Sequence, residues 1–493
     1  MLFLKKDPLN LKEIFDLSKN ISEEDKDRIK KALDFATIAH DGQTRFSGAP
    51  YITHPFEVAK ILTEMNVSVD MIIAGLIHDT LEDTSVTAED ILNNFGPNIL
   101  FLVEGVTKLG KIKYQGATRH TESLRKLFVA MAEDIRVIII KLADRLHNVR
   151  TLEHVRPDKR RRIALETIEI YAPIANRLGI WKIKGMLEDA SFPHAYPEEY
   201  KTVVKLRKTK GKESLKRIEK YSRTLQKGLA EHNLRHAQID YRIKYLYGLY
   251  KKLQKKDMDI DQIYDLLAMR IIVDTIPECY QVLGVVHSLS HPLPGRLHDY
   301  ISRPKPNGYQ SIHTDIFIAD GNVAEIQIRT HQMHKEAQFG VASHIVYEES
   351  GKPAAGGKMQ KRFDWITNLI EWQKNVSGSE EFLTSLKTDF FGDQIFIFTP
   401  KGDVIDLPEG ATALDFAYAI HSDVGDHAHA AYIDDKYSSL DTPLTNKQIV
   451  KIDIKKTSHP SIKWLDYCHT TLAKRHIKSY LQKHQNLQRE ISN

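Results

Sequence analysis

Three stretches in the first third of the chain decide its fold and its chemistry: YITHPFEVAKIL at 51–62, GLIHDTLEDT at 75–84 and KLADRLHNVRTL at 141–152. Apolar residues recur in each with helical spacing, so we predict that each lies on a helix. Two imidazoles and two carboxylates on three helices can converge on one divalent ion, and such a set without thiolate suits Mn, Fe, Zn or Co. Such an ion can activate a water for attack on phosphorus, so hydrolysis of a phosphate ester or anhydride is the first hypothesis. The four candidate ligands are His54, His78, Asp79 and Asp144.

Acidic and basic side chains accompany these four residues in the sequence. Glu82 and Asp83 lie one turn beyond the His-Asp pair, and we expect them on the same helix, near the outer shell of the ion. There a carboxylate could orient or deprotonate a water, although a solvated helix end is the alternative for both. Guanidinium, ammonium and amide groups can hold phosphate oxygens, and the candidates for that role are Arg45, Lys141, Arg145 and Asn148.

Composition narrows the class of protein. The chain has 493 residues, enough for about three domains, and its 42% hydrophobic and 27% charged residues are ordinary for a globular protein. A net charge of +5 is too small to argue nucleic-acid binding by itself. With only Cys279 and Cys468, the sequence contains no disulfide framework. The apolar runs are too short to span a membrane and the first residues lack a signal-peptide layout, so we predict a cytoplasmic protein without membrane partners.

The residue pattern changes along the chain and predicts several domains. Residues 1–195 are typical of an all-helical domain, whereas 196–375 begin with a densely basic stretch and continue as mixed α/β. Residues 390–456 have the hairpin, helix and strand order of a small β-grasp domain, and the tail at 457–493 is helical and basic. The stretch at 347–362, rich in Gly, Ala, Lys and Pro, is typical of a loop or linker. We therefore expect a multidomain α and α+β protein.

Two local patterns predict where helices begin. Ser22 is followed three residues later by Asp25, which is a fair capping-box start. Pro55 suits the first turn of a helix, so we expect His54 at a helix N-terminus with its side chain free to point at an ion.

The middle of the chain contains a second set of chemical groups. Asp265 begins the predicted strand DLLAMRIIV, and Glu325, Gln327 and Arg329 share the polar face of the predicted strand AEIQIR. Asp265 and Glu325 could jointly serve Mg²⁺ and a hydroxyl nucleophile, because phosphoryl transfer needs positioning and neutralisation of charge. The basic residues that could supply this charge are Arg242, Lys244, Arg296, Lys305 and Arg329.

The alternatives for this second site are structural. Tyr309 follows a Gly turn and could offer a flat face to a purine, but an Asn-Gly-Tyr sequence is usually only a turn. Basic residues on a helix usually form a solvated face. The sequence has no Walker A loop, so an ordinary P-loop enzyme is disfavoured.

The segments quoted first resemble the HD-type hydrolase domain of the long RelA/SpoT homologue family, whose members make and degrade the alarmones ppGpp and pppGpp. The resemblance implies manganese ligands at His54, His78, Asp79 and Asp144. It also implies that Glu82 and Asp83 handle the attacking water, and that substrate is contacted by Arg45, Asn148 and Thr151. All of these motifs are intact, which implies a live hydrolase.

YDLLAMRI at 264–271, GRLHDYISRPKPNGYQSIHT at 295–314 and EIQIRT at 325–330 resemble the synthetase domain of the same family. That domain, of mixed α/β nucleotidyltransferase-like fold, moves a pyrophosphate from ATP to the 3′-hydroxyl of GTP or GDP. The resemblance assigns Asp265 to magnesium and Glu325 to activation of the hydroxyl. It implies guanine stacking by Tyr309, ATP contacts from Arg242 and Lys244, and a substrate side completed by Arg296, Lys305, Asn307, His313, Gln327 and Arg329.

Two positions depart from the family pattern. The loop that usually has Arg-x-Lys-Asp has Arg296-Leu297-His298-Asp299 here. Because a histidine is mostly uncharged near neutral pH, we expect synthesis to be weaker, pH-dependent or differently tuned. Ile345 stands where the family usually has Trp, which implies altered packing rather than lost chemistry.

Residues 395–454 resemble the TGS domain of the family, on the segments PKGDVIDLP at 400–408 and DFAYAIHSDVG at 415–425. We expect one helix here, capped by Thr412 and ending near Gly425. The resemblance implies that His421 contacts uncharged tRNA on the ribosome, whereas the structural alternative is a histidine that caps a helix. Long members usually continue with zinc-finger or ACT-like segments, so a chain that stops at Asn493 is expected to be a short natural form or a truncated one.

Three hypotheses follow. The first is a bifunctional alarmone synthetase and hydrolase with Mn²⁺ at one site and Mg²⁺ at the other, in which a conformational antagonism prevents futile cycling. The second is a hydrolase-dominant enzyme whose synthetase is weak because of His298. The third is a ribosome- and tRNA-binding regulator with vestigial catalytic domains, against which the intact ligand sets argue.

Overall fold

The computed structural model describes residues 9–17, 21–110, 125, 128–130, 133–263, 266–305, 307–318, 322–342, 386, 388, 391–392 and 394–491. The chain divides into two compact units, of which the first holds nearly all residues up to 371 and the second holds 372–493. Asp265, Ile345 and the predicted linker at 347–362 lie outside the described residues.

The N-terminal part of the first unit is helical, as predicted. Its helices are α1 (Lys12–Phe15), α2 (Glu23–Ala39), α3 (Thr53–Glu64), α4 (Val69–Ile77), α5 (Thr80–Asp83), α6 (Ala88–Phe95), α7 (Pro97–Gly110), α8 (Ile135–Arg150), α9 (Pro157–Glu166), α10 (Ala172–Arg177) and α11 (Trp181–Ala195). A 3₁₀ turn follows α8 at Leu152–His154, and a π-helical segment at Thr167–Tyr171 joins α9 to α10.

Helices α3, α4 and α8 pack on one another and carry the quoted segments. Nearly every residue of α4 is buried, and α8 buries a continuous apolar run, Val137–Ile140. A helix that is apolar on all sides lies inside a bundle, so these helices form its centre. The predicted cap of α2 is confirmed, because the Ser22 side chain accepts a hydrogen bond from the backbone N–H of Asp25.

The rest of the first unit is a mixed α/β region around a five-stranded sheet in the order β1-β2-β5-β4-β3. Strands β2 and β5 are parallel and the other pairs are antiparallel. Ala324, Ile326 and Ile328 enter the core as predicted. The elements are α12 (Pro197–Glu231), β1 (Gln238–Ile243), α13 (Leu246–Gln254), β2 (Leu267–Val273), α14 (Ile276–Leu289), β3 (Pro292–Asp299), β4 (Ile312–Phe317), β5 (Val323–Thr330) and α15 (His331–Phe339).

Helix α11 belongs to both regions of the first unit, because it packs on α8 as well as on α13 and α15. The Asp189 carboxylate on α11 accepts hydrogen bonds from the first two backbone N–H groups of α13, those of Leu246 and Tyr247, at 3.0 Å each. After α15 the backbone N–H of Val341 donates to the Leu178 carbonyl at 3.0 Å. These contacts join the helical region to the sheet.

The second unit is a small α+β domain, as predicted from its β-grasp order. Its elements are β6 (Gln394–Phe398), β7 (Val404–Pro408), α16 (Ala413–Ile420), α17 (Ser422–Asp426), β8 (Ala428–Ile433), β9 (Lys436–Ser438), β10 (Val450–Ile454), α18 (Trp464–Tyr467) and α19 (Thr471–Ile491). β6 pairs with β7, and a second sheet has the order β10-β8-β9.

The capping box at Thr412 and Asp415 is confirmed, but the expectation of a single helix ending near Gly425 is wrong. His421 has extended backbone angles, so α16 ends at Ile420 and a short second helix follows. The tail packs on this domain through the same carboxylate. One oxygen of Asp415 accepts from the backbone N–H of Thr412 in the capping box, and the other accepts from the backbone N–H and the hydroxyl of Thr470.

None of the helices that the structure describes is long and apolar enough to cross a bilayer.

Gly340 provides a test of the junction between the helical region and the sheet. Its φ is +52°, and an added Cβ would lie 2.2 Å from the Leu178 carbonyl oxygen, which is rigid backbone. Gly295 also has a positive φ, +72°, but open space around its Cβ position. We expect Gly340→Ala to lower the free energy of unfolding by about 1–3 kcal/mol more than Gly295→Ala, because the backbone strain is shared and only the clash differs.

Chemical unfolding followed by circular dichroism measures this difference. Equal losses in the two variants would mean that the contact between the Gly340 segment and the Leu178 segment does not form as described.

Candidate active sites

The first site lies where α3, α4 and α8 meet. His54 is the second residue of α3 and Asp144 lies on the buried face of α8. His78 is the C-cap residue directly after α4, and Asp79 is the N-cap residue of α5. His54, His78 and Asp144 are almost completely buried, at 1–4% exposure, which is rare for such groups unless they are paired or bind a metal.

The four side chains surround one point. His54 Nε2 is 3.2 Å from Asp144 Oδ1 and 3.5 Å from Asp79 Oδ2. His78 Nε2 is 3.0 Å from Asp79 Oδ1 and 3.9 Å from Asp144 Oδ1. Ligand atoms that share an ion at bonds of about 2.1 Å are separated by roughly 3–3.5 Å, so these distances suit one cation.

The hydrogen bonds of the outer ring nitrogens show which way each imidazole presents its lone pair. Nδ1 of His78 is 2.9 Å from the Gly75 carbonyl oxygen, which can only accept, so this nitrogen carries the proton. When the ring is neutral, Nε2 carries the lone pair. This atom has no hydrogen-bond partner of acceptable geometry among the described residues, although Asp79 is close.

His54 is oriented in the same sense through His147. The Arg45 guanidinium, which can only donate, is 2.9 Å from Nδ1 of His147, so that nitrogen is an acceptor. Nδ1 of His54 is 2.7 Å from the same atom and must therefore be the donor. Burial, together with the charges of His54 and Arg45, lowers the pKa of His147 to about 3, which keeps the ring neutral.

With both rings neutral, the inner nitrogens direct lone pairs at carboxylate oxygens. That arrangement is repulsive unless a proton or a metal ion lies between the groups. Burial opposes protonation of His78, but the neighbouring carboxylates of Asp79 and Asp144 raise its pKa to about 9, so a proton takes this position when no metal ion does. Burial also opposes ionisation of Asp144, yet Lys141, at 2.6 Å, holds its pKa well below the usual value. The donor set therefore fits a divalent ion.

The acidic pair beyond this cluster is arranged differently from the prediction. Glu82 and Asp83 do not continue the helix of the His-Asp pair, because α4 ends at Ile77 and both lie on the separate short helix α5. The break at His78 and Asp79 lets these two side chains turn inward together. The Tyr51 hydroxyl is 2.9 Å from Asp79 Oδ2 and 2.8 Å from Asp83 Oδ2, so it links the cluster to the acidic pair.

A cavity of about 270 Å³ opens beside the cluster and has several of the predicted phosphate-binding groups in its lining. Arg45 donates to the Asn148 side-chain oxygen at 2.9 Å, and Asn148 donates to Asp144 at 2.5 Å. Lys141 and Arg145 also line the cavity, but both already have partners. Lys141 pairs with Asp144, and Arg145 pairs with Glu166 at 3.3 Å. Thr151 completes the predicted set in this cavity.

The second site is a cavity of about 410 Å³ between α11 and the polar face of the sheet. Five predicted residues line it: Arg242, Lys305, Tyr309, His313 and Arg329. Arg296 is exposed on β3 and is not among the lining residues. Lys244, Asn307, Glu325 and Gln327 lie nearby but are not among the lining residues, and Asp265 falls outside the described residues.

A chain of hydrogen bonds leads from the cavity to Glu325. The Tyr309 hydroxyl is 2.7 Å from Nε2 of His313, and Nδ1 of His313 is 2.8 Å from Glu325 Oε1. Gln327 donates to the same carboxylate oxygen at 3.3 Å. Burial opposes ionisation of Glu325, but the hydrogen bond from His313 lowers its pKa to about 2. Glu325 is therefore an oriented carboxylate at neutral pH.

Sequence reasoning missed Arg270, which lies beside Arg329 in the same cavity. Burial and the neighbouring charges of Arg329 and Arg242 lower the pKa of Arg270 to about 10. The Nε atoms of Arg270 and Arg329 are buried and have no hydrogen-bond partner in the part of the chain that the structure describes. Crowded guanidiniums with unused donors are suited to a polyanion such as a nucleotide phosphate. The sequence signal for Arg270 was a single basic residue in the otherwise apolar strand LLAMRIIV. No sequence signal indicated the positions of Tyr51 and His147 at the first site, or of Trp181, which lines the second cavity.

His421 caps α17: its Nδ1 accepts a hydrogen bond from the backbone N–H of Asp423 at 3.2 Å. The side chain is otherwise exposed. The capping alternative considered for this residue is thus present, and the exposed edge of the ring leaves room for a further contact.

Comparison with known families accounts for most of the chain. Residues 32–181 match the HD domain, 241–352 match the region found in RelA/SpoT proteins, and 395–453 match the TGS domain. A protein of Vibrio cholerae, named guanosine-3′,5′-bis(diphosphate) 3′-pyrophosphohydrolase, is 42% identical over 480 residues, which cover 95% of this chain and 67% of that protein.

The chain belongs to the RelA/SpoT family.

Two further relatives have names that differ in activity. The bifunctional (p)ppGpp synthase/hydrolase SpoT of Escherichia coli is 42% identical over 94% of this chain and 66% of its own length. The GTP pyrophosphokinase of Myxococcus xanthus is 45% identical over 94% of this chain and 61% of its own length. The chain thus spans about three fifths to two thirds of the length of the curated relatives it matches.

Solved structures resemble smaller parts of the chain. The match to a metazoan ortholog of SpoT has 31% sequence identity, covers 26% of this chain and 70% of that protein, and has a TM-score of 0.22.

The contact between His54 and His147 predicts a role in metal binding. His147→Phe removes the acceptor that fixes the proton on Nδ1 of His54, so we expect divalent-metal affinity to fall about 10–100-fold, as for other hydrogen-bond partners of metal-bound histidines. His291→Phe is the matched control, because His291 is exposed and lies in the α/β region, outside the lining of the cavity at the first site.

Titration of metal-free protein with Mn²⁺, followed by the loss of the free-ion electron paramagnetic resonance signal, measures both variants. Unchanged affinity in His147→Phe would contradict the orienting role.

Proposed function

We propose that the chain is a bifunctional alarmone enzyme. At the first site it removes the 3′-pyrophosphate of (p)ppGpp with Mn²⁺, and at the second it transfers pyrophosphate from ATP to the 3′-hydroxyl of GTP or GDP with Mg²⁺. The observation that carries the first activity is the pair of imidazole lone pairs directed at two carboxylates beside a basic cavity. The names of the relatives support both activities.

The first site supports hydrolysis through its own residues. A divalent ion held by His54, His78, Asp79 and Asp144 supplies Lewis-acid polarisation of a phosphate oxygen and of a bound water. Glu82 and Asp83 would take the proton of that water, with Asp83 held in place by the Tyr51 hydroxyl. The water oxygen bonds to phosphorus as the bond to the 3′-oxygen breaks, and that oxygen takes up a proton.

The basic side of the same cavity would hold the substrate. Arg45 is fixed by its hydrogen bonds to His147 and Asn148, so it presents its remaining donors to a phosphate without reorganisation. Asn148 and Thr151 line the same cavity and would contact the nucleotide beside it.

The second site supports synthesis. The Glu325 carboxylate would accept the proton of the 3′-hydroxyl, whose oxygen bonds to the β-phosphorus of ATP while AMP leaves. A magnesium ion, with Asp265 as its expected ligand, supplies charge neutralisation of the triphosphate. Arg242, Lys244 and Arg270 would hold ATP. Tyr309 would stack on guanine, and the remaining expected contacts are Arg296, Lys305, Asn307, His313, Gln327 and Arg329.

We further propose that the chain acts in the cytoplasm and that the TGS domain contacts uncharged tRNA on the ribosome through the exposed edge of His421. The Nδ1 atom of His421 is used by the cap of α17, so Nε2 is the atom left for that contact.

The two activities should separate by mutation. His78→Ala/Asp79→Ala removes half of the metal ligands, so we expect release of pyrophosphate from ppGpp with Mn²⁺ to fall at least about 10³-fold while synthesis from ATP and GDP persists. Glu325→Gln keeps the shape but loses the base, and we expect synthesis to fall about 10²–10⁴-fold with hydrolysis retained.

Nucleotide chromatography of both reactions measures this double dissociation, with each variant serving as the folding control of the other. Full hydrolysis by His78→Ala/Asp79→Ala would end the assignment of the first site, and full synthesis by Glu325→Gln would end that of the second.

A hydrolase-dominant enzyme is the second candidate, and His298 favours it. His298 lies on β3 opposite His313, which hydrogen-bonds to Glu325. A permanent positive charge at this position would help to neutralise the phosphates of ATP. We expect His298→Lys to raise synthesis several-fold at pH 8 and to raise it less at pH 6, because a lysine ammonium is charged at both values whereas an imidazole of ordinary pKa gains its charge between them.

Initial rates at the two pH values test this expectation, and His291→Lys, at an exposed histidine just before β3, is the control for added charge. Identical rates for His298→Lys and the parent chain at both pH values would argue against a tuning role for His298.

A further inference from the structure

The sheet of the first unit has a second cluster of metal-binding side chains, at the end opposite to Glu325. His236 precedes β1, Asp274 follows β2, Glu278 lies in the first turn of α14, and His331 begins α15 directly after β5. Strand pairing brings these points together, because the start of β1 lies beside the end of β2, and the ends of β2 and β5 are in register. His331 is six positions beyond Glu325 along an extended strand, so about 20 Å separates the two residues.

Three of these side chains have ligand atoms that lie within 4.8 Å of one another: His236, Asp274 and Glu278. Nε2 of His236 is 3.2 Å from Glu278 Oε1 and 3.9 Å from Asp274 Oδ2. A charge-assisted hydrogen bond would be about 2.7–2.9 Å long, so neither contact is a good one. Around a tetrahedral ion with bonds of about 2.1 Å, neighbouring ligands are about 3.4 Å apart, which lies between the two observed values.

One of the ligands is already oriented. The Oε2 atom of Glu278 accepts from the backbone N–H groups of Asp274 and Thr275 at 3.0 and 2.9 Å, as part of the capping box of α14. This fixes the carboxylate and leaves Oε1 facing His236. Nε2 of His331 lies 3.6 Å from the other oxygen of Asp274, an ion-pair distance rather than that of a hydrogen bond, so His331 is the neighbour that would orient this carboxylate when the ion is bound.

We propose that His236, Asp274 and Glu278 bind one divalent transition-metal ion of the zinc type, with His331 as the orienting partner and with the remaining coordination position open to water. The imidazole favours Zn²⁺ or Co²⁺ over Mg²⁺, and Zn²⁺ also accepts carboxylate oxygens. The ion would tie the ends of β1 and β2 to α14 and so stabilise the sheet on which the second active site is built. This site is independent of both proposed activities.

The test must separate this ion from the one at the HD-type cluster. The His78→Ala/Asp79→Ala variant serves as the background protein. Millimolar Mg²⁺ is present throughout, so that carboxylate sites that prefer hard cations are already occupied. Equilibrium dialysis against micromolar Zn²⁺, with metal analysis of the protein, should give one bound Zn²⁺ per chain. Adding His236→Ala should weaken this binding at least tenfold, and adding His331→Ala should weaken it several-fold. Adding His291→Ala, at an exposed histidine of the same region outside the cluster, should leave it unchanged.

Thermal unfolding gives a second measurement that does not depend on stoichiometry. Zn²⁺ should raise the unfolding temperature of the background and of its His291→Ala derivative, but not that of its His236→Ala derivative, because only a folded site binds the ion. Zn²⁺ binding that is absent from the background, or equal with and without His236, would show a surface ion-pair cluster only and would overturn the proposal.

Discussion

The structure of the helical region depends on placing two carboxylates, the buried Asp144 and the partly buried Asp79, against two imidazole lone pairs. Left alone, this arrangement is repulsive. The protons are directed to the outer nitrogens of His78 and His54, which donate hydrogen bonds to the Gly75 carbonyl and to His147. Lys141 compensates one of the two negative charges. The apolar helices α3, α4 and α8 supply the rigidity that keeps the groups together, since a flexible bundle would relax them apart.

The second site depends on the first region for one of its walls. Trp181 and Lys182, at the start of α11, line the cavity above the sheet, and α11 also packs on α8, which carries Asp144. The Asp189 carboxylate and the close approach at Gly340 fix α11 against the α/β region. One helix thus contributes to the surroundings of both sites, which gives a physical route for the antagonism expected between opposing reactions.

Much of the fold and of the first site could be predicted from the sequence, because these features depend on residues that are close together in the chain. The caps at Ser22 and Thr412, the helical position of His54 and the faces of β5 follow from spacing and side-chain chemistry. The errors and omissions lie where tertiary structure decides. The break at His78 and Asp79, the split at His421, and the roles of Tyr51, His147 and Arg270 all depend on neighbours that are distant in the chain, and Arg145 is engaged by such a neighbour, Glu166.

The most direct test of the central claim is a crystal structure of the Mn²⁺-loaded chain with an anomalous difference map recorded at the manganese edge. We expect one strong peak within about 2.3 Å of Nε2 of His54, Nε2 of His78 and one oxygen each of Asp79 and Asp144. A map with no peak between these four groups, or with His54 or His78 turned so that its Nε2 faces away from the ion, would contradict it.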